Sequence, residues 1–139
     1  MKQIINFGMI SLLLFIAFPA AAELEISNAW VRLLPPMVKT TAAYMDIKSA
    51  ENDTLLSVSS VLAERVEIHE SSMENGMMSM DHVSQVKIPK NTLVSLSPQG
   101  MHLMLIGLKQ PLKKNNTYPF TLNFKQAGKI DVLIPVRNP

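Results

Sequence analysis

The stretch Arg65–Val86, RVEIHESSMENGMMSMDHVSQV, decides how this chain is read. At its centre stands Asn75-Gly76, the strongest short signal for a two-residue β-hairpin turn, because both residues tolerate the positive φ such a turn needs. Arg65–Glu70 before it is partly β-branched and alternating, and Met77–Val86 returns after it. A two-residue turn sets Glu74 opposite Met77 and His69 opposite His82, with Met80 diagonal to His69. Diagonal neighbours across strands lie about 7–8 Å apart, within reach of long side chains. A slip of one residue would send Met80 to the other face, so anything built here depends on register.

Outward from the hairpin, strand-like runs bounded by turn residues recur, and no long stretch shows helical periodicity. Leu24–Arg32 carries the single tryptophan, Trp30, and is broken by Leu34-Pro35-Pro36. Thr40–Ile47 and Thr54–Ser60 follow, separated by the polar turn Ser49–Asp53. Beyond Pro89-Lys90-Asn91 come Thr92–Ser97 and Met101–Ile106, the latter apolar apart from His102 and so expected to be buried on both faces. Thr117–Gln126 and Lys129–Val136 make a last hairpin around Ala127-Gly128. About eight or nine short strands at this spacing predict an all-β chain, an antiparallel sandwich or barrel.

A length of 139 residues argues for one domain. Residues 1–22 stand apart: Lys2, an apolar run from Ile4 to Phe18, then Pro19-Ala20-Ala21-Ala22 before Glu23. That pattern predicts a secretory signal peptide cleaved after Ala22, and the apolar run is short of the ~20 residues of a membrane span. The domain is then residues 23–139, with no membrane span expected in the mature protein. Without Lys2 it holds 12 Lys+Arg against 11 Asp+Glu, a balance that gives no footprint for nucleic acid or a membrane surface. Cysteine is absent. Disulfides, thiolate nucleophiles, redox pairs and zinc ribbons are therefore excluded, as is a blue-copper electron-transfer centre, which needs a Cys sulfur.

All three histidines (His69, His82, His102) and six of the ten methionines fall between His69 and Met104. In a strand, residues i and i+2 share a face, so His102 and Met104 project together, roughly 6.5–7 Å apart at Cα. By the same parity Met78, Met80 and His82 share a face, as do Glu67 and His69. His69 and Met80 from the hairpin, with His102 and Met104 from the later strand, then make four neutral donors that can surround one ion. Each has an ordinary alternative: methionine fills gaps in cores, and histidine more often hydrogen-bonds than ligates. The residues alone leave both readings open. If a metal is held, the donors choose it, since zinc prefers His, Cys and carboxylate, calcium prefers oxygen, and thioether sulfur favours Cu(I). Imidazole ligation would make binding weaken as pH falls through about 6.5. Two thioethers resist copper redox cycling, and neither a Ser/His/Asp set nor paired carboxylates gathers here, so no enzyme is expected.

The spacing His69-x10-Met80-x21-His102-x-Met104 resembles the signature of the PCuAC-type periplasmic copper chaperones. Ala29-Trp30-Val31-Arg32, Thr41-Ala42-Ala43-Tyr44-Met45, Val66-Glu67-Ile68-His69-Glu70 and Met101–Leu108 are similar to that family's blocks. The resemblance implies a cupredoxin-like β-sandwich without a blue site, with His69, Met80, His102 and Met104 as Cu(I) ligands. It implies delivery of Cu(I) in the periplasm, typically towards the dinuclear copper centre of cytochrome c oxidase subunit II, often alongside a Sco-type thiol protein. Copper sequestration without a dedicated acceptor is the alternative. Two features depart from the family: Pro98-Gln99-Gly100 stands where Pro-Gly-Gly is common, and the chain stops at Arg137-Asn138-Pro139 without a His/Met-rich tail. Met73, Met77, Met78 and His82 are expected to form a methionine-rich rim, with a second copper site among them as the other possibility.

Overall fold

A computed structural model describes residues 23–139; the expected signal peptide at residues 1–22 lies outside them. Ten strands form, and among the described residues there is no helix. They are β1 (Leu24–Arg32), β2 (Thr40–Ser49), β3 (Asp53–Ser60), β4 (Ala63–Glu74), β5 (Met77–His82), β6 (Val86–Ile88), β7 (Val94–Leu96), β8 (Met101–Leu108), β9 (Thr117–Phe124) and β10 (Gly128–Arg137). Hydrogen bonding runs β4-β8-β2-β1-β10-β9-β3, and a β3–β4 pairing at Val58 and Val66 returns to the start. Seven strands therefore close into a barrel, while β5 extends from β4, β6 from β3, and β7 from β2. Closure removes the ring's sheet edges and the pairing hazard they carry.

Alternation builds the interior. Along β9 every second residue, Tyr118, Phe120, Leu122 and Phe124, is buried, as period two requires. Ala43, Met45 and Ile47 of β2 and Leu103 and Leu105 of β8 enter the same core. Each fully buried large apolar side chain contributes about 1.5–3 kcal/mol of transfer free energy. For a domain without cysteine this burial is the main stabilising term.

The structure differs from the sequence expectation in four ways. There are ten strands rather than eight or nine, because Met77–Val86 is interrupted at Val83-Ser84-Gln85. The segment after the break leaves β4 and pairs with β3 through Asp53 and Ile88, Thr54 and Lys87, and Leu55 and Val86. Pairing is not wholly antiparallel, since β1 and β10 run parallel where Val31 meets Val136. Finally, β8 is not buried alike on both faces: Leu103 and Leu105 fill the core, whereas Met104 and Ile106 opposite them are only half-buried. That outer face holds the residues of interest.

Candidate metal centre

The hairpin closes in the expected register, with Asn75 and Gly76 both at positive φ, 52° and 76°. His69 pairs with His82, Ser71 with Met80, and Met73 with Met78. On its other edge β4 pairs with β8, setting His69 opposite His102 and Glu67 opposite Met104. Beyond β8, Ala42 lies opposite Met104. Directly paired residues share a face, so one outer wall carries Glu67, His69 and Ser71, then His102 and Met104, with Met80 and His82 beside them.

Met80, His102 and Met104 line one cavity of about 290 Å³, together with Tyr44, Ser71, Met78, Leu34 and Pro98. His69 does not line it, but its ring stacks on His102 with centroids 6.2 Å apart and planes 26° from parallel. His82 meets His69 edge-on at 5.7 Å. The four sequence-selected residues are thus neighbours, three on the cavity wall and the fourth directly behind His102.

Hydrogen bonds set the two imidazoles differently. The Gly100 carbonyl can only accept, so His102 Nδ1 donates to it at 3.1 Å and Nε2 is left as the bare nitrogen of the neutral ring. The same carbonyl accepts the Ser71 N–H at 3.2 Å, which ties the loop before β8 to β4. His69 is held the other way round: its Nε2 donates to Glu67 Oε2 at 2.8 Å. Its Nδ1 is then a bare acceptor, buried and without a hydrogen-bond partner among the described residues. Glu67 is itself gripped by Arg65, whose Nε lies 3.0 Å from Oε1. The hydrogen bond from His69, and then that from Arg65, hold the Glu67 carboxyl below the usual carboxylate range. Arg65, Glu67 and His69 alternate along β4 and so form one continuous chain on its outer face.

Sequence reasoning missed the support beneath the cavity. A β-bulge between Ser27 and Trp30 carries Asn28 at a φ of 51°, which asparagine tolerates better than most residues. The extra residue brings Trp30 opposite Tyr44, and their ring centroids lie 4.7 Å apart. Tyr44 in turn lies 6.5 Å from the His102 ring. The i, i+2 parity of Glu67 and His69 was visible beforehand; the tilted aromatic pair depends on a bulge that only Asn28 faintly signals. Among the described residues no three His, Asp or Glu side chains converge on a common metal position, so a donor set here has to draw on thioethers.

A family described as "Putative lipoprotein LpqE-like" matches residues 24–136. The "Putative lipoprotein Lxx21020" of Leifsonia xyli subsp. xyli (strain CTCB07) is 32% identical over 121 residues, which are 85% of this chain and 72% of that protein. Among solved structures, apo-DR1885 from Deinococcus radiodurans is similar at a TM-score of 0.66 and 26% identity, over 100% of this chain and 97% of that one. CuI-DR1885 from the same organism matches at 0.64 and 32% identity, over 79% and 75%. The copper-bound PCuAC domain from PmoF2 reaches a TM-score of 0.71 at 20% identity, over 87% and 97%, a likeness of fold alone. With a family match running from β1 into β10, this chain belongs to the LpqE-like family, and it shares its fold with PCuAC domains.

Proposed function

We propose that the protein binds one Cu(I) ion through His69, Met80, His102 and Met104 and carries it to an acceptor in the periplasm. The observation that supports this best is a bare imidazole nitrogen on His102, in a wall shared with two thioethers, with a second bare nitrogen on the His69 ring stacked against it. His69 Nδ1 is buried with no partner, a situation that costs about 1–3 kcal/mol unless something occupies the lone pair. His102 keeps Nε2 bare in the wall that Met80 and Met104 also line. Two neutral nitrogens and two thioether sulfurs suit a soft monovalent cation and offer nothing to a hard one. Glu67 behind His69 resembles the carboxylate that orients a metal-binding histidine and raises its basicity. The copper-bound relatives support the same cargo, and we read the barrel as the cupredoxin-like scaffold of a carrier rather than an enzyme.

Retention and release are both provided for. His102 is 4% exposed, which shields the ion, while Met80 is 47% exposed and can be displaced by an incoming ligand. This balance favours delivery, towards the dinuclear copper centre of cytochrome c oxidase subunit II or through a Sco-type protein. Burial of His102 taken alone favours the second reading, sequestration. The relatives' lipoprotein names do not carry over to these 139 residues, since none is a cysteine that could take the lipid.

Anaerobic Cu(I) titration of residues 23–139, with X-ray absorption on the same sample, tests the site. One tight equivalent with two nitrogen and two sulfur ligands is expected. His102→Ala and Met104→Leu should each weaken it by about 100-fold or more while the fold persists. Unchanged affinity in both variants would remove the site. Transfer to the apo copper domain of subunit II separates delivery from sequestration.

A further inference from the structure

The face that carries the proposed ligands continues outward along the hairpin. In order from the barrel come the pairs His69 with His82, Ser71 with Met80, and Met73 with Met78. Exposure rises along this row: Met80 is 47% exposed, Met73 70% and Met78 73%. Methionines so exposed fill no core gap, and a directly opposed pair has its Cβ atoms only about 4.5–5.5 Å apart. Two flexible thioethers at that separation can share one soft ion. Met78 also joins two spaces: it lines the cavity of Met80, His102 and Met104, and it lines an adjoining one of about 280 Å³ with Met73, Pro98 and Gln99.

We propose that Met73 and Met78 form a second, weaker Cu(I) site at the tip of the hairpin, from which the ion passes to Met80 and then to the buried site. The inference rests on the central site proposed above. The step is ligand exchange: the Met80 sulfur–copper bond forms as the Met73 bond breaks, and copper stays Cu(I) with no electron or proton moved. Successive positions on one strand face are roughly 6.5–7 Å apart, so the row divides the path into short exchanges. Met77 lies opposite Glu74 on the other face and takes no part.

Methionine-methyl ¹³C NMR of residues 23–139 under anaerobic Cu(I) titration reads each position separately. The first equivalent should move Met80 and Met104; further Cu(I) should move Met73 and Met78 together, ahead of Met37 and Met77. Those two are equally exposed controls at 84% and 74%. Met73→Leu should weaken the Met78 response at least tenfold and slow loading of the central site at least tenfold, leaving its equilibrium affinity unchanged. Met73 and Met78 shifting no earlier than Met37, or Met78 responding unchanged in the Met73→Leu variant, would overturn the outer site. Failure of Met80 and Met104 to respond in the first equivalent would instead overturn the central one, and the Met73 and Met78 signals would still report on their own pair.

Discussion

Two hairpins of the barrel are built on opposite terms. In β9–β10 the inner face is core: Phe120, Leu122 and Phe124 from one strand, Ile134 and Val136 from the other. Its turn is clamped from outside by Asp53, whose carboxylate accepts the Gln126 N–H at 2.8 Å and the Ala127 N–H at 3.0 Å. In β4–β5, by contrast, no residue of β5 is buried. Its register rests on the Asn75-Gly76 turn and the ladder itself. A slip in the first hairpin would expose large aromatic side chains, whereas a slip in the second would leave the core nearly intact and scatter the proposed metal face. Stability rests on the first hairpin, and two of the four proposed copper ligands, His69 and Met80, rest on the second.

That division can be broken experimentally. Phe120→Ala should cost about 3–5 kcal/mol in urea unfolding, the largest effect expected, because it empties a closed core. If the domain tolerates it with under about 1 kcal/mol of loss, the core assignment of β9 is wrong. On the other hairpin, Glu67→Gln should leave unfolding almost unchanged but weaken Cu(I) by about tenfold in chelator competition. Its pH behaviour is a further check. The folded-state value of Glu67 lies below the ordinary one, so its contact with His69 is at full strength above the usual carboxylate range. It is lost only as pH falls through the lowered value. Protons compete with Cu(I) for imidazole ligands, so wild-type affinity should fall with acidification. A flat affinity profile down to pH ~5 would contradict imidazole ligation. Gly76→Ala should cost about 1–2 kcal/mol of stability, because alanine is strained at a φ of 76°. Its signature is a loss of Cu(I) affinity larger than the loss of stability; equal losses would mean the turn does not govern the metal face.

The same contrast explains what could be read from the residues alone. The register of β4 on β5 was legible because a two-residue turn leaves one pairing, and strand parity then put His69 and Met80 on one face and His102 with Met104. The break after His82 was not, since three residues that rejoin β3 look like a continuation of β5. Ring closure was equally hidden: the parallel meeting of β1 and β10 joins segments about a hundred positions apart with no local turn to announce it. Within the centre, Glu67 was visible as a neighbour of His69 by parity, but the arginine that grips it and the orphaned nitrogen behind it emerge only from packing. The Trp30–Tyr44 contact required a bulge whose single hint is an asparagine.

The parallel pairing of β1 with β10 has a practical consequence. Leu24 starts beside Ser49, and Arg32, eight positions and roughly 26 Å further along, lines the cavity of Met80, His102 and Met104. The Leu33 N–H donates to the Arg137 carbonyl at 2.8 Å, so the last strand also finishes at the cavity end. An affinity handle fused after Pro139 would hang its imidazoles over the proposed copper site and compete for the ion. The same handle placed before Glu23 would sit at the far pole of the barrel, away from the exposed Met80.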